Sequence, residues 1–460
     1  MKIAKYNRGF ILALTAAAGL ILTSCKDEPD KYEVAGGKPT INYVRCLSTE
    51  IVGNNDDPDT HYTNGELVTS ASPQSLLCLV GENLRSVYEL YFNDQKAILN
   101  SSYITDNTLL VAVPRGIPEE VSDKIYMITQ DKDTVTYDFS VVIPGPTINT
   151  MSCEYAEAGS KASIYGSYFI DDPNVPLTVT FPNGKQVTNL EISNNYSTLT
   201  FTVPECEESG PITVTNIYGT TNSTFYYKDT RGLLFDFDGV TGLGQHGWHN
   251  NLPVQSEGGI KGNYVQLGNG DATLGGDGST WDDNHFSFEY WPGNWENPET
   301  YTSPDGKLLT SLADFSKWEN MAYKFEMYIP SSNPWSACAM QIIAGGVDLV
   351  SMGSEGTKDI YGNTTAGCNN KYISSNDVPR ALYRPWTTTG SYDTGDQWIT
   401  VTLPIKSSFI YGFSGASATN SIPNSDFFTS LCIFVSGGGV AGSDCAPIIR
   451  IDNIRAVPYK

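Results

Sequence analysis

Apolar and polar residues alternate with period two over short stretches along most of this chain. Leu76 to Val80, Val87 to Phe92, Thr108 to Val113, Ile125 to Thr129 and Val135 to Val142 all read as strands with one face buried. Glycine, proline and asparagine turns separate them. Further along, Leu233 to Gly239, Tyr323 to Ile329, Trp398 to Pro404 and Ile448 to Val457 keep the same period. Long stretches of amphipathic helical period are absent. The pattern predicts an all-β protein built of sandwiches.

The first half contains an internal repeat. Pro39-Thr40-Ile41-Asn42 recurs as Pro146-Thr147-Ile148-Asn149, and Gly81-Glu82-Asn83-Leu84 parallels Gly166-Ser167-Tyr168-Phe169. The strand Asn107 to Pro114 parallels Ser197 to Pro204. The opening phrase has the longest offset, which places an extra loop in the first copy near Asn54-Asn55-Asp56-Asp57. Two tandem domains follow, 38–144 and 145–229. Ile143-Pro144-Gly145-Pro146 sits between them, where two fixed φ angles stiffen the connection. The third segment, 230–460, has a different composition. It holds all eight tryptophans, from Trp248 to Trp398, and most of the 43 glycines.

The N-terminus reads as an address. Lys2, Lys5 and Arg8 precede an apolar run from Phe10 to Leu22, too short to span a bilayer as a helix. Leu22-Thr23-Ser24-Cys25 follows and fits a lipoprotein cleavage site. Residues 1–24 are then a signal peptide, Cys25 the lipidated residue and 25–37 a tether. Net charge is −23, so nucleic acid and polyanionic glycans are poor partners and neutral ligands suit the surface. The eight remaining cysteines fall in even numbers per segment, which permits disulfides without defining their pairing. No Cys/His spacing suggests zinc, and His246, His249 and His285 are the only imidazoles of the third segment.

An enzyme needs convergent chemistry. Gly242-Leu243-Gly244-Gln245-His246-Gly247 matches Gly-x-Gly-x-x-Gly, but Trp248-His249-Asn250-Asn251-Leu252-Pro253 opens no helix to hold a pyrophosphate. Asp282, Asp283, Glu289, Glu296 and Glu299 are candidate carboxylates for a glycoside hydrolase. No Glu-x-Asp-x-x-Glu string places three of them on one strand face. Asp236, Asp238 and Asp452 could hold a structural Ca²⁺, although solvated strand-end carboxylates are the simpler reading, and no cofactor is expected.

Sugar binding asks for less. The axial C–H face of a pyranose stacks on a flat aromatic ring, and such rings should sit in breaker-rich loops. This criterion selects Tyr290, Trp291, Trp295, Trp335, Tyr383 and Trp386. Glu289, Asn294, Glu296, Asn333 and Arg384 are candidate hydroxyl partners. Trp318, Trp398 and Trp248 read as packing residues, and Trp281 stays between the two roles.

The repeated phrases resemble IPT/TIG immunoglobulin-like domains, and the ends of 230–460 resemble a jelly roll whose first and last strands pair. The lipobox, the Lys26-Asp27-Glu28 that follows it, the tandem repeat and the Trp-rich third segment together resemble the Bacteroidetes surface glycan-binding lipoproteins of starch-utilisation-like systems. The multidomain type that binds xyloglucan or other β-glucans is the most similar. That resemblance implies two Ig-like spacers carrying a non-catalytic, glycan-binding jelly roll. It implies an outer-membrane, cell-surface location, with a glycan transporter and a surface glycosidase as partners. A surface hydrolase and a protein-binding adhesin are the competing classes.

Overall fold

The computed structural model describes residues 36–49, 61–245, 252–290, 307–345 and 373–459. Cys25 and the tether up to residue 35, the loop 50–60, Trp248, Trp291, Trp295, His246, His249, Glu296, Glu299 and Cys368 lie outside the described residues. Strands dominate. They fall in two compact units, Met1–Pro144 and Gly145–Lys460.

The first unit is a sandwich of two four-stranded antiparallel sheets. One runs in the order His61–Val68, Thr40–Thr49, Leu76–Glu82, Thr108–Ala112. The other runs Gln95–Lys96, Val87–Phe92, Lys124–Thr129, Thr134–Asp138. Alternation decides the core: Leu77, Leu79, Leu90, Phe92, Leu109, Ile125 and Met127 point inward and are buried. The second unit begins with a sandwich of the same plan, whose core includes Ile164, Phe169, Val179, Phe181, Leu199, Phe201 and Val214.

The repeated phrases meet in space. Ile41 pairs with Gly81 and Ile148 with Gly166 across adjacent strands. A Cβ on Gly81 would lie 1.8 Å from the Thr40 carbonyl oxygen, and one on Gly166 would lie 1.9 Å from that of Thr147. Only glycine permits this approach. Gly81 N–H donates to the Asn107 carbonyl and Gly166 N–H to that of Ser197, which ties in the third repeated phrase. Asn83 and Tyr168 then adopt left-handed backbone, at φ 55° and 57°, and Leu84 and Phe169 turn into the two cores.

The remainder of the second unit is a larger sandwich. Its main sheet runs Val254–Gln255, Tyr264–Leu267, Ile449–Pro458, Met321–Tyr328, Ile399–Pro404. Leu233–Phe235 also pairs with Ile449–Pro458, with Leu233 opposite Arg455 and Phe235 opposite Ile454. The facing sheet runs Ser287–Tyr290, Ser430–Val435, Met340–Gly345, Ala381–Tyr383. The first and last strands of this sandwich are therefore partners, as a jelly-roll arrangement requires.

Within this unit, the outer face of the main sheet carries buried charges that reach into the preceding sandwich. Lys324 Nζ lies 2.5 Å from Glu154 Oε1, and Arg455 bonds both Glu154 Oε2 at 2.8 Å and Glu326 Oε2 at 2.7 Å. The Thr400 hydroxyl donates to Glu326 at 2.8 Å and accepts the Glu154 N–H at 2.7 Å. Two carboxylates thus face two cations. Burial still pushes the Glu326 carboxyl up, against the opposing pull of Arg455. Trp398 lies on the same junction. Its indole N–H donates to the Gly258 carbonyl, and its ring meets Tyr264 and Tyr328.

No disulfide forms among the described cysteines; Cys78, Cys153, Cys206, Cys338, Cys432 and Cys445 are thiols. No helix among the described residues is long and apolar enough to cross a membrane.

Candidate glycan platform

The four-stranded sheet of the last sandwich has two faces. Phe288 and Tyr290 point into the core, where they meet Phe235 at 5.1 and 5.2 Å. Their neighbours therefore point away. Cross-strand register lines up Ser287, Phe434 and Gln341 in one row of this outer face, and Glu289, Cys432 and Ile343 in the next. All six are buried, so loops and side chains cover the face.

Part of that cover is aromatic. Trp281 lies edge-on to Phe434, with centroids 4.9 Å apart and planes at 74°, and is tilted against Phe413 at 5.9 Å. Its indole N–H donates to Asp283 Oδ2 at 3.3 Å. The residue is 42% exposed. A tryptophan that packs on two phenylalanines and still reaches water is a candidate stacking platform.

The support beneath it is firmly built. Buried Arg380 sits 6.0 Å from the Phe413 ring and donates to Gln341 Oε1 at 2.8 Å, to the Ser375 carbonyl at 2.8 Å and to the Ile373 carbonyl. Gly437, Gly438 and Gly439 all have positive φ. A Cβ on Gly438 would lie 2.4 Å from the Ala339 Cβ, and one on Gly439 would lie 2.1 Å from the Ser414 carbonyl oxygen. That run brings the backbone against the loop carrying Phe413. Arg384 donates to the Gly438 carbonyl and lies 5.7 Å from the Tyr411 ring. Polar groups flank Trp281 along its own segment. Ser279 donates to Asp277 and holds that carboxyl below its usual range. Asp282 accepts the His285 N–H and pairs with its ring nitrogen at 2.8 Å.

The four described rings among those selected by the breaker criterion lie elsewhere. Trp335 is fully buried, and its indole N–H donates to the Ala337 carbonyl at 2.6 Å. Trp386 is 2% exposed and donates to the Cys338 carbonyl at 2.8 Å. Tyr290 is 1% exposed and donates to the Lys307 carbonyl at 2.6 Å. Tyr383 is half-buried on the core side, 6.2 Å from Trp335, and burial pushes its phenol well up. Trp335, Trp386 and Tyr290 are corrected to core residues: each has satisfied its polar atom internally and offers no open face. A proline beside a ring marks a turn of the chain, not the side to which the ring points. Pro385–Thr387, for example, forms a 3-10 turn that carries Trp386 inward. Trp291 and Trp295 lie outside the described residues.

Trp281, which the sequence leaves between packing and binding, also stands among breakers. Gly-Asp-Gly-Ser-Thr precedes it and Asp-Asp-Asn-His follows. Trp318 packs on Phe428, as its strand-flanking position suggests. Of the hydroxyl partners, Asn333 donates to the Ala446 carbonyl, Arg384 is spent on Gly438, Glu289 is buried, and Asn294 and Glu296 lie outside the described residues.

Of the candidate hydrolytic carboxylates, Glu296 and Glu299 lie outside the described residues, and the other three have structural partners or are buried. Asp282 holds His285, Asp283 holds Trp281, and Glu289 is buried. A calcium site is not supported either. Among the described residues no group of three or more His, Cys, Asp or Glu side chains could hold a metal. Asp236 accepts the Val240 N–H, Asp238 the Asn263 N–H and Asp452 the Asn453 N–H, which makes them turn-holding groups. Burial pushes Asp452 up to about 8.

Residues 227–458 match the family described as surface glycan-binding protein B xyloglucan binding domain. The crystal structure of the surface glycan-binding protein PbSGBP-B from Prevotella bryantii is similar at 44% identity and TM-score 0.71, covering 93% of this chain and 100% of that one. An IPT/TIG domain-containing protein of Bacteroides ovatus is 26% identical over 215 residues; the match spans 43% of this chain and only 40% of that relative's length.

Proposed function

Because the chain belongs to the surface glycan-binding protein B family, we propose that it captures a neutral plant β-glucan at the cell surface without cleaving it. Xyloglucan is the leading ligand and mixed-linkage glucan the next. The exposed, doubly supported ring of Trp281 carries this reading. One pyranose face stacks on the indole, and polar groups of the 277–285 segment meet its hydroxyls. The first two domains, 38–144 and 145–229, act as spacers for the capture domain, 230–460. Cys25 carries the lipid that anchors the chain in the outer membrane. A glycan transporter and a surface glycosidase take the captured polymer onward.

Affinity electrophoresis against a panel of neutral polysaccharides tests the proposal. Retardation in xyloglucan or mixed-linkage glucan gels is expected, and no retardation in any gel would overturn it. Stacking a sugar ring is at the weak end of the ~1–3 kcal/mol seen for aromatic stacking of bases. Trp281→Ala should therefore weaken binding about 5- to 10-fold. Release of reducing sugar by the purified protein would favour the hydrolase class instead.

A further inference from the structure

Two adjacent aspartates flank the platform and divide the work between them. Asp282 builds the turn: its side chain accepts the His285 N–H at 3.2 Å and pairs with the His285 ring at 2.8 Å. The Asp283 backbone carbonyl accepts the Ser287 hydroxyl at 2.8 Å, which fixes the backbone independently of its side chain. The Asp283 carboxylate is directed to the indole N–H of Trp281 at 3.3 Å.

We propose that Asp283 is a positioning residue for glycan capture, acting through the Trp281 indole. The inference rests on Trp281 being the platform. Two physical effects follow from the bond. First, Phe434 and Phe413 press on the ring from the sheet side, but apolar contacts are non-directional and leave it free to rock. A hydrogen bond at the ring's edge removes that freedom, so less order is lost when a sugar binds. Second, an anionic acceptor on the N–H pushes electron density onto the ring. The stacking face becomes more negative, which strengthens its attraction for the slightly positive axial C–H groups of a pyranose. An amide acceptor would hold the ring but polarise it less.

A variant series with xyloglucan oligosaccharide as the probe separates these roles. By isothermal titration, Asp283→Asn should weaken binding about 3-fold and Asp283→Ala about 5-fold. In ¹⁵N-labelled protein, the Trp281 indole N–H resonance, identified by its absence from Trp281→Phe, should move upfield in Asp283→Asn. The deciding measurement is the double-mutant cycle. Phenylalanine has no N–H, so adding Asp283→Asn to Trp281→Phe should change affinity no further. An equal loss in both backgrounds would mean that Asp283 touches the glycan itself, and would overturn the proposal. Full affinity in Asp283→Asn and Asp283→Ala would overturn it as well. If Trp281→Ala and Trp281→Phe both bind like the parent, the platform reading has failed; an unmoved indole resonance in Asp283→Asn would instead refute the hydrogen bond itself.

Discussion

Glu154 belongs to one sandwich of the second unit and neutralises cations of the other, so its replacement should unlock their junction. The carboxylate is 2% exposed and bonds Lys324 and Arg455 at once. In Glu154→Gln the volume is kept but one negative charge is lost. Arg455 retains both of its bonds to Glu326. Lys324 loses the one salt bridge described for it and is left almost fully buried, with 8% of its side chain exposed. Breaking a buried pair by removing one partner costs about 3–5 kcal/mol. For a domain of this size that corresponds to a fall of roughly 6–20 °C in melting temperature. Urea denaturation of the whole chain, followed by tryptophan fluorescence, measures the loss. The fluorescence reports on 230–460 because every tryptophan lies there. Removing the stranded cation in Glu154→Gln/Lys324→Met should recover part of the loss, since a neutral pair of similar volume avoids the burial penalty. A loss below about 1 kcal/mol would refute the reasoning, because surface ion pairs typically contribute no more than that. No recovery in the double variant would assign the effect to packing.

Other consequences follow from single sites. Gly166→Ala should destabilise by at least about 1–3 kcal/mol, because its Cβ would lie 1.9 Å from the Thr147 oxygen; chemical denaturation reads this directly. Trp335→Ala should lower stability by about 3–5 kcal/mol by leaving a cavity, whereas Trp281→Ala should lower affinity and leave stability nearly intact. Asp452 has its folded-state value raised to about 8, so it contributes most to stability below its unfolded value of about 4 and loses that contribution as pH rises towards 8. Asp452→Asn should accordingly gain stability relative to the parent over that window, and parallel stability curves for the two proteins would refute the shift. Chelation of divalent cations should leave the melting temperature unchanged; a clear drop would reinstate calcium at Asp236, Asp238 and Asp452.

Much of the fold was legible because period-two alternation is a local signal. Val87 to Phe92 read as a strand and is one, with Leu90 and Phe92 inward. The repeat was legible for a second reason. Gly81 and Gly166 lie where a carbonyl of the opening strand approaches too closely for any Cβ, so one residue type was forced twice in the same order. The exposure of individual rings was far less legible. Asn333-Pro334-Trp335 and Gly278-Ser279-Thr280-Trp281 carry the same breaker signature, yet one ring is fully buried and the other is 42% exposed. Local sequence sets where the chain bends. Whether a ring then meets a core or water depends on the strands that pack against it.

The chain alone determined its all-β class, its repeated Ig-like plan, the jelly-roll ends and the segment that holds every tryptophan. These follow from alternation, composition and steric constraints acting over a few residues. Only the tertiary structure decided that Trp281 stays partly exposed beside Phe434 and Phe413, that Trp335 and Trp386 fill the core, and that Glu154 neutralises Lys324 and Arg455 across 170 and 301 positions of sequence. Those outcomes depend on partners distant in the chain, and no local pattern encodes which distant residues will meet.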